Sequence, residues 1–437
     1  MRPLELASEK VQSAIEKRRS EIVGFLGEYI KRKSVNPKYE EGAEEKTCQD
    51  WLRDELASWR VYDKIDSWEK RTGRPNVAAV LKGAGGGRNL MFNGHSDVVP
   101  VPKESLPYWT TDPFGGEVKE GRVYGRGATD MKGGVAAFIW ATRIVRESGI
   151  VLQGDVVDTM TIAEESGEHE IGVDTIVDRG YKADFLVNAE GTNLQICPVG
   201  VGLYFFKLKV RGKPIHTSMK YKCSFPQPIG VQVPGVSAID KMVKFITQFQ
   251  ELEREWAHRK KFQLVPLGAS NLTPTIIRGG EYIGGISENC EVIYNVWINP
   301  DEKPEDSINE IRTFVSRLAE NDEWMKEHPP VIEAPAPEFP ELWPSHSVPL
   351  DHPGAVTLAQ SYSAALKTDV KWGAFTAVAD VVWTAKKGIP GIILGPGELT
   401  MGVHGIDEYV PIEQIVDCAK VYAEMILRWC GVSEIEA

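Results

Sequence analysis

The sequence predicts an α/β fold: a mostly parallel-sheet core domain with helices on both faces, interrupted by a smaller α+β domain of βαββαβ order. Three observations carry this. Apolar segments such as "NLMFNGHSDVV", "DVVDTMTIAEES" and "ADFLVNAEGT" alternate with helical patterns, the signature of a largely parallel sheet. From about Gly200 the rhythm changes to half-exposed strands, "GLYFFKLKVRG" and "CEVIYNVWINP", set among two amphipathic helices. After a Pro-rich return segment, "APAPEFPELWPSHSVPLDHP", the first pattern resumes. The expected boundaries are 1–199 and 336–437 for the two parts of the core domain and 200–335 for the insertion.

Taken in order, residues 8–33 read as one amphipathic helix with Val11, Ile15, Ile22, Phe25, Leu26 and Tyr29 on one side. A second helix follows at "EEKTCQDWLRDELASW". The strands "NVAAVLKG" and "NLMFNGHSDVV" are separated by "GAGGG". That turn joins strand to strand, with no Lys-Ser/Thr and no helix behind it, so it is not a phosphate loop. "KGGVAAFIWATRIVRES" is the next helix. The insertion reads as strand, helix, two strands, helix and short strand, an antiparallel sheet against two helices. The returning core contributes "GAVTLAQSYSAALK", "VKWGAF", "GIPGIILGPG" and a last helix from Ile412 to about Arg428.

Composition narrows the function. The chain has 437 residues, beyond the size of one ordinary core, and its 42% hydrophobic and 26% charged residues are those of a globular protein. No apolar run reaches the roughly 18–20 residues of a spanning helix. The charged N-terminus lacks the apolar stretch of a signal peptide, and a cytoplasmic location is expected. A net charge of −12 offers no basic excess for phosphates, so neither nucleic acid nor membrane is expected as a partner. The six scattered cysteines form no CxxC pair and read as reduced, mostly buried thiols.

Several acid and imidazole groups stand where packing requires none. They are His95 in "GHSDVVP", Asp130 in "GRGATDMKGG", Glu164 and Glu165 in "IAEESGE", Glu190 in "NAEGT" and His404 in "MGVHGIDEYVP". Each lies at an apolar or Gly-rich strand-to-loop junction, and buried carboxylates are costly unless paired or metal-bound. In an extended segment His95 and Asp97 share a face. That pair suits a metal ligand with its partner, a catalytic base with its orienter, or a polar strand end. Two imidazoles and three carboxylates can hold two divalent ions, and nitrogen and oxygen donors without thiolate suit Zn, Mn or Co.

From about residue 75 to 415 these motifs, in this order, resemble the dinuclear metallohydrolases that include acetylornithine deacetylase, succinyl-diaminopimelate desuccinylase, aminoacylase and related carboxypeptidases and dipeptidases. The resemblance implies one or two divalent ions. His95 and Glu190 would bind one, Glu165 and His404 the other, with Asp130 bridging. Asp97 would hydrogen-bond His95, and Glu164 would be the general base for a metal-activated hydroxide attacking a C–N bond. A cis peptide is implied at Asp130–Met131. His216, in "GKPIHTS", would stabilise the oxyanion in its own or a partner subunit's site, the insertion acting as a lid and as the contact of a homodimer or higher oligomer. Gly395 and Gly397 match a loop that approaches substrate, and Asp380 stands near the family's Thr-Asp.

Departures concern the substrate end. Gly284 and Ser287 stand where the family carries Asn and Pro, Trp297 stands where it carries a carboxylate-gripping Arg, and "MKYKCSFPQPIG" replaces a small-residue-Pro run. A Trp cannot form bidentate bonds to a carboxylate, but it can stack on a ring. The expected substrate is a small molecule: an N-acyl amino acid or dipeptide by family precedent or, as the alternative, a (nitro-)aminobenzoate losing its amino group. The rival of another class is an inactive binding homologue. It would lack a ligand or Glu164, and neither is missing. His258, His328 and His346 lie in charged or Pro-rich stretches and read as solvated; His352 reads as a helix-start residue.

Overall fold

A computed structural model describes residues 3–40, 45–224 and 233–435. The chain divides into two compact units. One comprises Met1–Pro198, Ser347–Phe375 and Ala379–Ala437; the other comprises Val199–His346 and Thr376–Val378.

The first unit is built on a mixed sheet. Its order runs Lys64–Arg71, Arg74–Leu81, Val156–Thr161, Leu90–His95, Phe185–Asn188, Gly391–Ile393, Ile196–Gly200. The middle four strands are parallel, and the strands flanking them pair antiparallel. Leu90–His95 is buried along its whole length, as a central parallel strand must be. Successive side chains point to opposite faces. Phe92 therefore meets the long helices, stacking on Phe138 at 5.6 Å and tilting against Tyr422 at 4.9 Å. Burying such a ring stabilises by roughly 1.5–3 kcal/mol. Asn93 faces the other way, with Thr159, Thr161 and Asn188, toward the short Val381–Lys386 helix and Asp380 before it.

The N-terminal segment forms two helices, Pro3–Lys17 and Arg19–Lys31, rather than the single one expected. The break falls at Arg18, whose N–H is shared between the Ala14 and Ile15 carbonyls and whose guanidinium pairs with Glu21 and Glu147. The expected apolar face is intact across the break, with Val11, Ile15, Ile22, Phe25, Leu26 and Tyr29 all buried.

The second unit is an antiparallel sheet in the order Leu272–Gly279, Asn289–Ile298, Gly202–Arg211, Val331–Glu333. Even-numbered residues Tyr204, Phe206, Leu208, Val292, Tyr294 and Val296 pack on the helices Ala238–Arg259 and Pro304–Ala319 through Phe245, Phe249, Trp256, Ile311 and Val315. The longer helix is started by Ser237, whose hydroxyl accepts the Asp240 N–H at 3.1 Å. Trp297 is odd-numbered, lies on the opposite sheet face opposite Leu203, and is half-buried.

His346 departs from expectation: it is buried, and burial pushes its imidazole down to about 4. His328 is held against Trp324, with ring centroids 3.8 Å apart, and His352 caps Pro353–Leu366 by accepting the Gly354 N–H. Residues 225–230 of the "MKYKCSFPQPIG" departure lie outside the described residues. Among the described residues no helix is long and apolar enough to cross a membrane.

Candidate metal centre

The parallel register brings the carboxyl ends of neighbouring strands to one edge of the sheet, where sites collect in such folds. His95 ends Leu90–His95, Glu164 and Glu165 follow Val156–Thr161, and Glu190 follows Phe185–Asn188. Asp130 precedes the Gly133–Glu147 helix, across the cis Asp130–Met131 peptide, and His404 lies in the loop before Tyr409–Pro411.

These groups converge. His95 Nε2 is 3.0 Å from Asp130 Oδ1 and 3.3 Å from Glu190 Oε1. His404 Nε2 is 3.2 Å from Asp130 Oδ2 and 3.1 Å from Glu165 Oε2. The Asp130 carboxylate thus stands between two imidazoles, one at each oxygen, with a further carboxylate on either side. Donor atoms of His95, Asp130 and Glu165 all lie within 4.8 Å of one another. Glu164 Oε2 is 3.8 Å from His95 Nε2, and the residue is 9% exposed.

This donor set fits divalent cations. His95 Nδ1 lies 2.9 Å from the Asp97 carbonyl oxygen, to which it donates, so Nε2 turns its lone pair toward Asp130 and Glu190. Glu165 Oε1 is buried without a hydrogen-bond partner, which a cation would satisfy. Without cations the cluster must hold protons instead. Burial pushes the Glu165 and Glu190 carboxyls up to about 7, the Asp130 charge adding to the effect, and pushes Glu164 well above the usual range. His95 is raised despite its burial, because it bonds Asp130 and Glu190. His404 is raised by its bonds to Asp130 and Glu165. Metal binding releases such protons, and the ion takes over the charge they carried.

Two local expectations are corrected. The strand ends at Thr161, and 164–167 is a turn, entered through Ala163 at φ +72. That turn sends Glu165 toward His404 and Glu164 toward His95. Asp97 does not reach His95 with its carboxylate, whose Oδ1 is 3.6 Å from Nδ1. Those oxygens accept the Glu164 N–H at 3.3 Å and the Glu165 N–H at 3.2 Å, and Asn36 Nδ2 donates at 2.8 Å. Asp97 therefore holds the glutamate turn in place.

Gly395 and Gly397 pack beneath the centre. A Cβ at Gly395 would fall 2.3 Å from the Ala189 and Glu190 carbonyl oxygens, and one at Gly397 2.5 Å from Thr129 Oγ1. Their N–H groups donate to Thr192 and Gln414. Asp380 is buried, accepts from Thr161 Oγ1 at 3.2 Å, and keeps Oδ1 unpaired. In the second unit, His216 is exposed and starts the Thr217–Met219 turn. Its Nδ1 accepts the Ser218 N–H at 3.2 Å, leaving Nε2 as the N–H donor. Asn36, Arg126 and Glu408 are site-supporting residues that reading by motif passed over. The one available signal was an acid four residues after His404, in "HGIDE".

The sequence pattern of Peptidase family M20/M25/M40 matches residues 91–428. The chain is 33% identical over 374 residues to the N-formyl-4-amino-5-aminomethyl-2-methylpyrimidine deformylase of Bacillus subtilis, covering 84% of this chain and 86% of that protein. The deformylase of the same name from Halalkalibacterium halodurans is 31% identical over 372 residues, with 84% and 85% covered. Human carnosine dipeptidase 1 shares the fold with a TM-score of 0.68 at 16% identity, over 97% of this chain and 98% of that one. An M20 family metallo-carboxypeptidase from Sulfolobus solfataricus does so with a TM-score of 0.66 at 17% identity, over 94% and 99%. The pattern spans more than half of the chain and the deformylase likeness most of its length, so the chain belongs to peptidase family M20/M25/M40.

Proposed function

We propose that this protein removes a formyl or similarly small acyl group from the amine of a small heteroaromatic molecule. Its family and its likeness to the two deformylases make it a metal-dependent hydrolase of C–N bonds. The observation that carries the mechanism is the Asp130 carboxylate shared between His95 and His404, with Glu164 beside it. His95, Asp130 and Glu190 would hold one divalent ion and His404, Asp130 and Glu165 a second, Zn, Mn or Co by donor chemistry. Bound there, such ions supply Lewis acidity toward the substrate carbonyl and the attacking water. Glu164 takes a proton from that water as it attacks the carbonyl carbon, then delivers it to the departing nitrogen as the C–N bond breaks. Water and amide thus yield a carboxylic acid and an amine. Asp97 keeps Glu164 aligned through its backbone N–H.

The acyl and ring preferences rest on two supports. The two deformylases named above act on a formylated aminomethylpyrimidine, and Trp297 replaces the Arg that would grip a substrate carboxylate. The test is a panel assayed with added Zn, Mn or Co. It comprises the formylated aminomethylpyrimidine, N-acetyl and N-succinyl amino acids, dipeptides and a nitro-aminobenzoate. The formamide is expected to exceed every carboxylate-bearing substrate in kcat/KM by at least about 100-fold, the scale on which a mismatched polar group is rejected. A faster N-acyl amino acid, dipeptide or aminobenzoate overturns the preference.

His216, presenting Nε2–H, is proposed to stabilise the oxyanion in the site of a second copy, the two copies joining through the inserted unit. The exposed edge strand Leu272–Gly279, with Ile277 more than half exposed, supports that contact. Mixing inactive Glu164→Gln protein with inactive His216→Ala protein should restore activity, because one site in the mixed dimer then has both residues. No recovery after subunit exchange, or a single-copy mass by sedimentation, refutes it.

A further inference from the structure

We propose that Glu408 is a positioning residue that locks the Asp130 loop to the His404 loop and so sets the spacing of the two proposed ion sites. Glu408 is completely buried, and its carboxylate collects four donors from one turn. Oε2 accepts Arg126 Nη1 at 2.5 Å and the Gly127 N–H at 3.1 Å. Oε1 accepts the Thr129 N–H at 3.0 Å and the Asp130 N–H at 3.1 Å. The turn can aim these amides inward because Gly127 adopts φ +85, a conformation open to glycine.

Glu408 itself belongs to the segment that carries His404, and further bonds join that segment to the turn. Arg126 Nη2 donates to the Gly405 carbonyl at 2.7 Å, next to His404. Gly125 N–H donates to the Glu408 carbonyl at 2.8 Å, and Thr129 Oγ1 donates to the Tyr409 carbonyl at 2.6 Å. A buried charge persists only when it is paired and its oxygens are fully used, and here one guanidinium and three amides do both. One of those amides belongs to Asp130 itself. The carboxylate contacts neither His404 nor any other proposed ligand side chain; it acts on the backbone that carries them. Replacing it therefore shifts Asp130 relative to His404 while leaving every ligand present.

This inference rests on the two-ion reading above, and the test separates the two. Glu408→Gln keeps the shape but turns an NH2 toward amide or guanidinium donors, whichever way the amide lies. The apo variant's melting temperature and circular dichroism establish that it folds. Calorimetric titration with MnCl2 then reads affinity, and the visible spectrum of the Co(II)-loaded protein reads ligand geometry. Glu408→Gln is expected to bind Mn about 10- to 100-fold more weakly than wild type and to show an altered Co(II) spectrum, the usual scale for a partner behind a ligand. Its kcat should fall with KM little changed. Mn affinity within threefold of wild type, with an unchanged Co(II) spectrum, overturns the proposal. Wild-type protein that binds no Mn overturns the two-ion reading instead. Should Glu408→Gln not fold, Arg126→Lys is titrated in its place. It leaves Glu408 paired but loses the second nitrogen that reaches the Gly405 carbonyl, and the same weakening is expected. Failure of both variants to fold assigns the cluster to stability alone and also overturns the proposal.

Discussion

Glu164→Gln is expected to lower kcat by roughly 10²- to 10⁴-fold, the usual share of a positioned general base, while metal content stays at the wild-type value. The amide is nearly isosteric, so the turn at 164–167 keeps its Asp97 contacts, which run through backbone N–H groups and not through the Glu164 carboxylate. Glu165, Glu190, Asp130 and the two imidazoles are untouched. What disappears is the carboxylate beside the centre, 3.8 Å from His95 Nε2, that neither proposed ion site uses as a ligand and that is therefore free to carry a proton. KM should change little if the residue acts in the chemical step rather than in binding. Elemental analysis and steady-state kinetics on the same preparation check both halves. Activity within a few-fold of wild type would show that Glu164 is not the base, and loss of metal together with activity would make it a ligand.

Dialysis against a chelator is expected to abolish turnover, and Zn, Mn or Co to restore it. The same treatment should lower the thermal midpoint. Asp130, Glu164, Glu165 and Glu190 crowd one buried edge of the sheet, and in the apo protein their mutual repulsion is relieved only by protons. An ion that binds the folded state at 100 times its dissociation constant stabilises by about 2.7 kcal/mol, enough to raise the midpoint by a few degrees. Activity assays and melting curves at matched metal concentrations read both effects. Full turnover by protein shown to be metal-free would sink the proposed mechanism, and a midpoint indifferent to metal would remove the ions from this cluster.

How much of this was legible without coordinates differs between the ligand-type residues and their supports. His95, Asp130, Glu165, Glu190 and His404 announce themselves because each breaks a local rule: an ionisable group at the end of an apolar strand or in a Gly-rich loop has no packing reason to be there. The supports obey their local rules. Asn36 sits in a polar turn, Arg126 among glycines, and Glu408 in a charged loop. Their significance arises from partners 61 and 282 residues away, Asp97 and Arg126 respectively. No local pattern encodes such pairs. His346 is the mirror case, a polar residue in a Pro-rich stretch that the fold nonetheless buries.

The linear chain determined the alternation of apolar strands and helices, the inserted antiparallel unit, and the identity of the acid and imidazole groups, because periodicity and local cost are written in neighbouring residues. Only the folded arrangement decided that Asp130 offers one oxygen to each imidazole, that Asp97 grips the backbone of the glutamate turn with its carboxylate while its carbonyl takes the His95 ring N–H, and that Glu408 ties two distant loops together. Those outcomes depend on strand order, on a left-handed residue at Ala163 and on ångström-scale distances between segments far apart in sequence. Such distances are set by packing, which acts on the whole domain at once.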